Sequence, residues 1–413
     1  MAKIHYLFLL LVGVVLCSAL VLMTEPSHRA QLVGSDFRAI FTGPYMVRGG
    51  AGQQLYDLSA QFFWQRALAS EVSSYGALMP FLNPAFVALF LLPFTLLSFP
   101  WAYVAWGLVN VAALCVFFAW CFRLFRTELA EKKIEATPLF LLIFSWVPFW
   151  VAIMQGQFSL VLLLGLCASW SAYERKRYVS SGVWLALLFI RPHLVLIPAA
   201  LLLLGKQYRA VRGLVAGVVG LLLVGLSIGG AYGLTAYAKI LLLIGRGGEA
   251  FGTHPSFEPT LKSALHVLYG TNHVTWGIGV LWLTVCAVVF LYLYWRQKTV
   301  VFSPFIQWAL MPLLAILFSP HTNYHDLSLI FFAELLVLKY IVLPQQSGQQ
   351  VGSRATFWSY VFIGLQMAAL SALLPLSAVM ACLLLVCTLY LLYFEYRQVG
   401  AVGVLGAKKQ ALP

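Results

Sequence analysis

Long apolar runs, separated by short polar stretches, recur along almost the whole chain. A helix needs about 20 residues to cross the hydrocarbon core of a bilayer, which is about 30 Å thick. The pattern therefore predicts an all-α, polytopic integral membrane helix bundle with about 11 to 13 membrane segments, some of them short or re-entrant. The predicted segments are 6–23, 84–98, 101–122, 138–154, 158–173, 182–204, 211–231, 274–295, 302–318, 324–340, 357–374 and 376–394.

Two longer polar stretches interrupt this pattern within a single predicted membrane domain, residues 1–413. Residues 24–82 form a first predicted outer loop, and residues 230–273 form a second one. Within the first loop, aromatic side chains beside glutamines over 57–68 are typical of a helix that lies in the membrane interface. Residues 341–413 are predicted to contain a C-terminal helix pair and a cytoplasmic tail.

Composition excludes a soluble globular protein. Apolar residues make up 62% of the chain and charged residues 9%, and the mean hydropathy is +0.89. A soluble domain has about a quarter of its residues charged. The seven cysteines all fall inside apolar runs without metal-ligand spacing, so they are predicted to be buried thiols with no chemical role.

The basic residues orient the predicted helices, because Lys and Arg in short loops are retained on the cytoplasmic side. Both termini then lie in the cytoplasm, and the protein is a multi-pass protein of the cell membrane. The basic clusters that lie inside are 123–133, 174–177, 206–212 and 295–298. The net charge of +13 is explained by this retention and by attraction to the anionic inner leaflet, so no nucleic-acid partner is expected.

This orientation has consequences for residues that were not used to define it. Segment 182–204 has to be a re-entrant hairpin that turns at Arg191–His193, and 84–122 has to cross the membrane an odd number of times. Every histidine except His5 then falls on the outer side. Titratable groups that can perform chemistry therefore collect on the extracytoplasmic face, and we expect an active site there.

Asp36 is the first candidate, because it follows the first apolar segment in a protein that has few acids. Arg38, Tyr56 and Asp57 accompany it in the same loop. Two alternatives remain open for Asp36: a solvated loop acid, or the N-cap of a helix that begins near Phe37.

The stretch "MQGQFS", residues 154–159, places Gln155 and Gln157 on either side of a glycine between two apolar segments. Amide side chains can hydrogen-bond sugar hydroxyls, but they can equally stabilise a tight turn. Both interpretations remain open.

Arg191, followed by Pro192 and His193, lies in an apolar stretch where a cation is costly unless it meets an anion or water. A phosphate suits the guanidinium group, which stays charged and matches phosphate oxygens. The alternative is a structural ion pair with Asp326 or Glu334.

The stretch "FSPHTNYHDL", residues 318–327, concentrates His321, Asn323 and His325 where one apolar segment ends and the next begins. No zinc-site spacing such as HExxH is present, so phosphate or sugar binding is favoured over a metal ion.

Five short motifs together resemble glycosyltransferase family 87. They are "SDF" at Asp36, "LYD" ending at Asp57, "GQFS" at Gln157, "RP" at Arg191 and "SPHTNYH" up to His325. This family consists of GT-C type membrane enzymes and includes the mycobacterial phosphatidylinositol mannoside mannosyltransferases. Two departures are the plain "LNP" at 82–84 and an arginine where the family usually has lysine before proline.

The resemblance implies a hexosyltransferase that moves a sugar, typically mannose, from a polyprenyl-phosphate donor on the extracytoplasmic face, with the loop acid, Asp36, as general base. One carboxylate suffices for inversion, because the leaving phosphate is already a stable anion and cations can stabilise it. The residues expected to bind the donor phosphate are Arg191, His193, His321, Asn323 and His325. Those expected to bind the sugar or acceptor are Arg38, Tyr56, Asp57, Gln155 and Gln157.

The expected partners are the polyprenyl-phosphate sugar, a lipid or glycan acceptor and membrane lipids, with no cofactor and no metal ion. The rival hypothesis is a transporter or lipid-linked sugar flippase, which would place ionisable residues near the midplane and show two related halves. A structural or assembly protein is a third possibility, which leaves Asp36, Arg191 and His325 unexplained.

Overall fold

The structure is a computed structural model that describes residues 35–68, 78–131, 139, 142–247, 258–269 and 303–342, with a few positions between 383 and 390. All regular secondary structure in these residues is helical, which confirms the predicted all-α class. The predicted segments 6–23, 274–295 and 357–374 lie outside the described residues, as does 376–394 except at those few positions.

The helices are labelled in chain order by their bounds. They are α1 Asp36–Arg48, α2 Leu58–Leu68, α3 Val87–Leu91, α4 Phe99–Leu124, α5 Arg126–Ala130, α6 Val147–Met154, α7 Ser159–Glu174, α8 Tyr178–Leu185, α9 His193–Leu204, α10 Tyr208–Gly247, α11 Leu261–Tyr269, α12 Pro304–Leu317 and α13 Ile330–Val337. Short 3₁₀ helices cover Gly52–Gln54, Leu92–Leu96, Ala186–Ile190 and Tyr324–Leu329, and a π-helix covers Leu338–Val342.

The chain divides into two compact units. The first contains Met1–Pro192 and Arg212–His254, and the second contains His193–Val211 and Pro255–Pro413. In the first unit α4 packs against α6 and α7, α7 packs against α8, and α1 packs against α2 and α3. In the second unit α9 and α13 both pack against α12.

Two helices in the described residues are long and apolar enough to cross a membrane: α4, and α10 up to Leu243. At 1.5 Å per residue, the 26 residues of α4 rise about 39 Å. Helix α10 directs apolar side chains outward, including Leu223 at 61% exposure and Leu242 at 65%. Apolar side chains exposed along a whole helix are suited to contact with lipid.

Helix α10 continues beyond the predicted end of its segment at residue 231. The structure is helical to Gly247, across a local break at Gly230, where φ is +63° and ψ is −173°. Glycine adopts this backbone geometry without the steric cost that a Cβ atom would add. Apolar, helix-forming residues resume after the break, at Leu234 and Leu241 among others, so the first part of 230–273 is helix and not loop.

Helix α2 confirms that residues within 57–68 are helical, but its two glutamines point inward. Gln61 is fully buried, accepts a hydrogen bond from Phe81 N at 2.7 Å and donates to Leu55 O at 2.6 Å. Gln65 exchanges hydrogen bonds with the backbone of Met79 in the same way. The two glutamines therefore provide hydrogen bonds to main-chain groups of Leu55, Met79 and Phe81, none of which lies in a helix.

Two predicted membrane segments are shorter than a bilayer requires. Residues Val87–Leu96 form ten residues of helix, which rise about 15 Å, or half of the hydrocarbon core. Segment 182–204 is interrupted at Arg191, as predicted, with Tyr178–Ile190 before the break and His193–Leu204 after it. The re-entrant hairpin and the number of crossings stay predictions.

Glycines allow α10 to approach α8 closely in the first unit. A Cβ atom added at Gly213 would lie 2.0 Å from the carbonyl oxygen of Val179, and one added at Gly217 would lie 2.5 Å from the Cβ of Ala186. Small residues spaced four apart on a membrane helix permit backbone contact of this kind.

We expect Gly213→Ala to destabilise the protein in detergent by about 1–3 kcal/mol, because the added methyl group forces α10 away from α8. Gly220→Ala is the matched control, because nothing lies within 4 Å of its added Cβ. That substitution should be neutral or stabilise the helix by up to about 1 kcal/mol. Thermal unfolding of the two purified variants measures the difference, and equal midpoints would contradict the close packing.

Candidate functional site

Asp36 is the first residue of α1, and the N-cap position before it is occupied by Ser35. The carboxylate therefore lies at the amino end of a helix, where unpaired N–H groups and the helix dipole favour negative charge. The side chain is half-buried. The structure thus places Asp36 one position inside the helix, and its carboxylate is used for a contact outside α1.

That contact comes from the turn between α6 and α7, which contains the "MQGQFS" motif. Gly156 has a φ of +64°, and a Cβ atom there would lie 2.8 Å from the Cβ of Phe37. Two side chains of α4 hold the same turn: Tyr103 Oη donates to Met154 O at 2.5 Å, and Trp106 Nε1 donates to Gly156 O at 2.8 Å. Glycine is required here because of both the backbone angle and the approach of α1.

Aromatic packing fixes α1 against α4. The buried ring of Phe37 stacks on Phe41 and Phe99, with centroids 5.2 and 5.7 Å apart, and meets Tyr103 edge to face at 5.4 Å. Aromatic pairs of this kind add to the free energy of burial. Phe37, next to Asp36, therefore anchors the start of α1 on α4, the helix that also holds the turn at Gly156.

These contacts bring together three of the candidate residues in one hydrogen-bonded chain. Gln157 Nε2 donates to Asp36 Oδ2 at 2.6 Å, and Arg191 Nη2 donates to Gln157 Oε1 at 2.7 Å. Gln157 is only 6% exposed, so both ends of its amide are committed to these two partners. Within the described part of the chain, Asp36 Oδ1 accepts no hydrogen bond.

A neutral amide thus separates a carboxylate from a guanidinium group. If Asp36 and Arg191 paired directly, each charge would be neutralised by the other and less available to a ligand. The amide of Gln157 holds both groups in place, with the negative charge of Asp36 on one side of it and the positive charge of Arg191 on the other. The arrangement offers a base at one end and an anion-binding cation at the other.

Arg191 reaches Gln157 from a break in the helical backbone. The 3₁₀ helix Ala186–Ile190 ends with Arg191 N bonded to Leu188 O at 2.9 Å, and Arg191 itself is extended, with φ −123° and ψ 92°. Pro192 follows and disfavours the helical conformation at the residue before it. The "RP" sequence therefore interrupts the helix at the residue whose side chain joins the hydrogen-bonded chain.

A small, partly open apolar cavity of about 40 Å³ lies in the same unit. Its lining comes from Tyr56 of the first loop, from residues 84–86, from Phe189 just before the break, and from the glycine-rich part of α10. Gly233 is buried, yet a Cβ atom there would have no neighbour within 4 Å. The lining residues include Tyr56, Phe86, Phe189, Gly225, Gly233 and Tyr237.

The other first-loop candidates have individual surroundings. Tyr56 lines the cavity and donates to Asn83 O at 3.0 Å, and burial together with nearby Tyr237 raises its pKa above the usual value. Arg38 is buried, which lowers the pKa of its guanidinium group. Asp57 is exposed and caps α2, because its Oδ1 accepts from Ser59 N and Ala60 N at 2.8 and 3.0 Å.

The remaining candidate of the turn, Gln155, is half-buried at the end of α6. Its neighbour Gln157, by contrast, occupies the centre of the hydrogen-bonded chain. The two glutamines that are equivalent in the sequence are therefore not equivalent in the structure.

The other candidates belong to the second unit. His193 begins α9 and is half-buried. Asn323 caps the 3₁₀ helix Tyr324–Leu329, and its backbone N donates to Asp326 Oδ2 at 3.1 Å. His325 is fully buried, with Nε2 at 3.7 Å from Asp326 Oδ2. These contacts order the segment "TNYHD", whatever else its side chains bind.

His321 has a partner that sequence reasoning did not select. Its Nδ1 lies 2.6 Å from Oε1 of Glu258, a buried carboxylate 63 residues earlier in the chain. Burial by itself would raise the pKa of Glu258, but hydrogen bonds from His321 and Ser263 and the charge of Lys262 together hold that pKa below its usual value. The sequence did contain one signal for this residue: Glu258 is an acid within the second polar stretch, 230–273, on the predicted outer face where the histidines collect.

No group of three or more His, Cys, Asp or Glu side chains in the described residues could hold a metal ion. The chemistry described so far is that of carboxylate, amide, guanidinium and imidazole groups.

Comparison with known proteins gives one match. Residues 81–320 match the model of glycosyltransferase family 87, which is more than half of the 413-residue chain. No curated protein and no solved structure matches the chain. The matched region contains Gln157, Arg191 and Glu258, whereas Asp36 precedes it. The chain belongs to glycosyltransferase family 87 and is therefore a glycosyltransferase of a membrane-type family.

Proposed function

We propose that this glycosyltransferase moves a hexose, mannose, from a polyprenyl-phosphate donor to an acceptor hydroxyl on the extracytoplasmic face, with inversion at the anomeric carbon. The observation that supports this proposal is the chain of hydrogen bonds from Arg191 through Gln157 to Asp36. It provides the two charged groups that such a transfer requires, with opposite signs and a fixed spacer between them.

Asp36 is proposed as the general base. The acceptor oxygen attacks the anomeric carbon from the face opposite the phosphate, its proton passes to Asp36, and the bond from the anomeric carbon to the phosphate oxygen breaks. The electron pair of that bond leaves with the phosphate. Asp36 can accept the proton at Oδ1, because Oδ2 already holds the amide of Gln157.

Arg191 is proposed as the group that binds the donor phosphate. The charge on the phosphate increases as the bond to the sugar breaks, so a fixed cation stabilises the transition state more than the ground state. No acid catalyst is then needed for the leaving group, in contrast to an inverting glycosidase, which needs a second carboxyl group.

A lipid-linked donor also fits the apolar part of the first unit. The cavity near Phe189 lies two residues along the chain from Arg191, and its walls are almost entirely apolar. We propose that it accommodates part of the isoprenoid tail while the phosphate binds at Arg191. The rival hypothesis of a transporter or flippase gains no support from the family match, because that family is one of glycosyltransferases.

Asp36→Asn should lower the turnover number by at least about 10²-fold, because the amide keeps the size of the side chain but cannot accept the proton. Glu174→Gln is the control, since Glu174 is an exposed acid at the end of α7 that is not among the candidate residues. Transfer from a synthetic polyprenyl-phosphate mannose, measured in proteoliposomes, tests both variants. Normal activity of Asp36→Asn at equal protein levels would rule out its role as base.

Arg191→Ala should lower kcat/KM for the donor by roughly 10–100-fold, with part of the loss in kcat, because a charge-assisted hydrogen bond to the phosphate is lost and the developing charge loses its cation. Arg191→Lys should lose less, because lysine keeps the charge without the planar fork. The KM for the acceptor should change little in either variant. A fully active Arg191→Ala protein would instead support a structural role for this arginine.

Filling the cavity should discriminate between donors of different chain length. No atom lies within 4 Å of a Cβ added at Gly233, so we expect the side chain of Gly233→Leu to enter the cavity without displacing the backbone. We expect about a tenfold higher KM for a long-chain polyprenyl donor and no change for a short-chain analogue, in line with the free energy of a few buried methylene groups. Gly220→Leu, on the same helix but outside the cavity, is the control. Equal effects on both donors would refute this position of the tail.

A further inference from the structure

Glu258 is a carboxylate in a position where burial is expensive. Its side chain is 5% exposed, and it lies three residues before α11, in the second unit. An ionised carboxylate in such surroundings has to be compensated by hydrogen bonds or by a cation. Ser263 Oγ donates to Glu258 Oε2 at 2.7 Å, and Thr260 Oγ1 is bonded to the same serine, so the first turn of α11 supports this oxygen.

The other oxygen of Glu258 is directed at His321. The distance from Oε1 to Nδ1 is 2.6 Å, and the histidine side chain is 37% exposed. The histidine backbone is held separately, because His321 N donates to Ser319 Oγ at 3.1 Å. In the part of the chain that the structure describes, Nε2 of His321 makes no hydrogen bond.

We propose that Glu258 is a positioning residue for His321: it accepts a hydrogen bond from the Nδ1–H of the ring and fixes the ring orientation, so that Nε2 is presented to the substrate. This inference rests on the proposed function and on the expectation, carried by the resemblance of "SPHTNYH", that His321 takes part in donor binding. It adds a residue that neither the motif "SPHTNYH" nor the family match assigns.

The geometry distinguishes this role from simple attachment of α11 to the turn that carries His321. Attachment is already provided by Lys262, whose Nζ donates to Pro320 O at 3.2 Å without touching the imidazole ring. A buried acid next to a half-exposed imidazole contributes something different, because it binds Nδ1 and fixes the ring orientation, which leaves Nε2 as the ring nitrogen that can meet a ligand.

A double-mutant cycle tests the proposal. Glu258→Gln keeps the shape of the side chain and removes the charge, and it should lower kcat/KM for the donor about tenfold while leaving KM for the acceptor unchanged. In a His321→Ala background the same change should have less than a twofold effect, because Glu258 then has no ring to position. Ser263→Ala, which keeps the carboxylate but removes one of its supports, should give a smaller loss that is likewise absent without His321.

Lys262→Gln is the control for attachment: it removes a link between the same two segments without touching the imidazole ring, and among the groups that lower the pKa of Glu258 the charge of Lys262 contributes least. Its donor kinetics should stay within twofold of the unchanged protein. The proposal is overturned by equal losses from Glu258→Gln in both backgrounds, by a loss from Lys262→Gln that matches it, or by full activity of Glu258→Gln.

The same assay separates this inference from the function on which it rests. If Asp36→Asn is inactive but His321→Ala is fully active, the proposed function stands and the role of Glu258 falls. If Asp36→Asn keeps its activity, the proposed base is wrong, while the cycle still shows whether Glu258 acts through His321 in donor use.

Discussion

The candidate site depends on a neutral side chain between two opposite charges. Gln157 holds Asp36 with its nitrogen and Arg191 with its oxygen, and it is buried, so it has little freedom to exchange these partners for water. A carboxylate and a guanidinium group left to themselves in an apolar protein would form a direct pair. The amide prevents this without adding charge, and it gives each ion one fixed hydrogen bond.

Everything around Gln157 in the first unit serves to place that amide. The turn of Gly156 fits against the start of α1, and α4 holds the turn through Tyr103 and Trp106. The break before Pro192 supplies the arginine. The match over residues 81–320 shows the glycosyltransferase family, but Asp36 lies outside the matched region. The hydrogen bond from Gln157 to Asp36 links this acid to the matched region.

The sequence predicted the members of this site better than their partners. Asp36, Gln157 and Arg191 could each be selected because a polar or charged residue is rare in so apolar a chain. That Gln157 joins the other two could not be inferred, since hydrogen bonds over 121 and 34 residues depend on packing that no local pattern encodes. Glu258 was missed for the same reason. Its partner lies 63 residues away and both stretches read as loops.

The differences between the predicted and the observed elements also have physical causes. Helix α2 was predicted from its amphipathic composition, but Gln61 and Gln65 face inward, because an irregular backbone segment needs more hydrogen bonds than apolar side chains can provide. Helix α10 extends past residue 231, because helix-forming residues resume after a single glycine that adopts a left-handed φ. Hydropathy locates helices by the apolar side chains that contact lipid. It does not account for backbone groups whose hydrogen bonds come from side chains.

The contact between Gly156 and Phe37 also restricts how the first unit can move. The ring and Cβ of Phe37 lie against a main chain that has no side chain to yield, so α1 and the turn are mechanically coupled at that point. Asp36 and Gln157 sit on either side of this contact and must shift together as one body. Arg191 stands on extended backbone beyond the end of a 3₁₀ helix, on a different element. In the proposed function, room for a lipid-linked donor would therefore come from movement of that element, with the distance between the proposed base and the amide preserved.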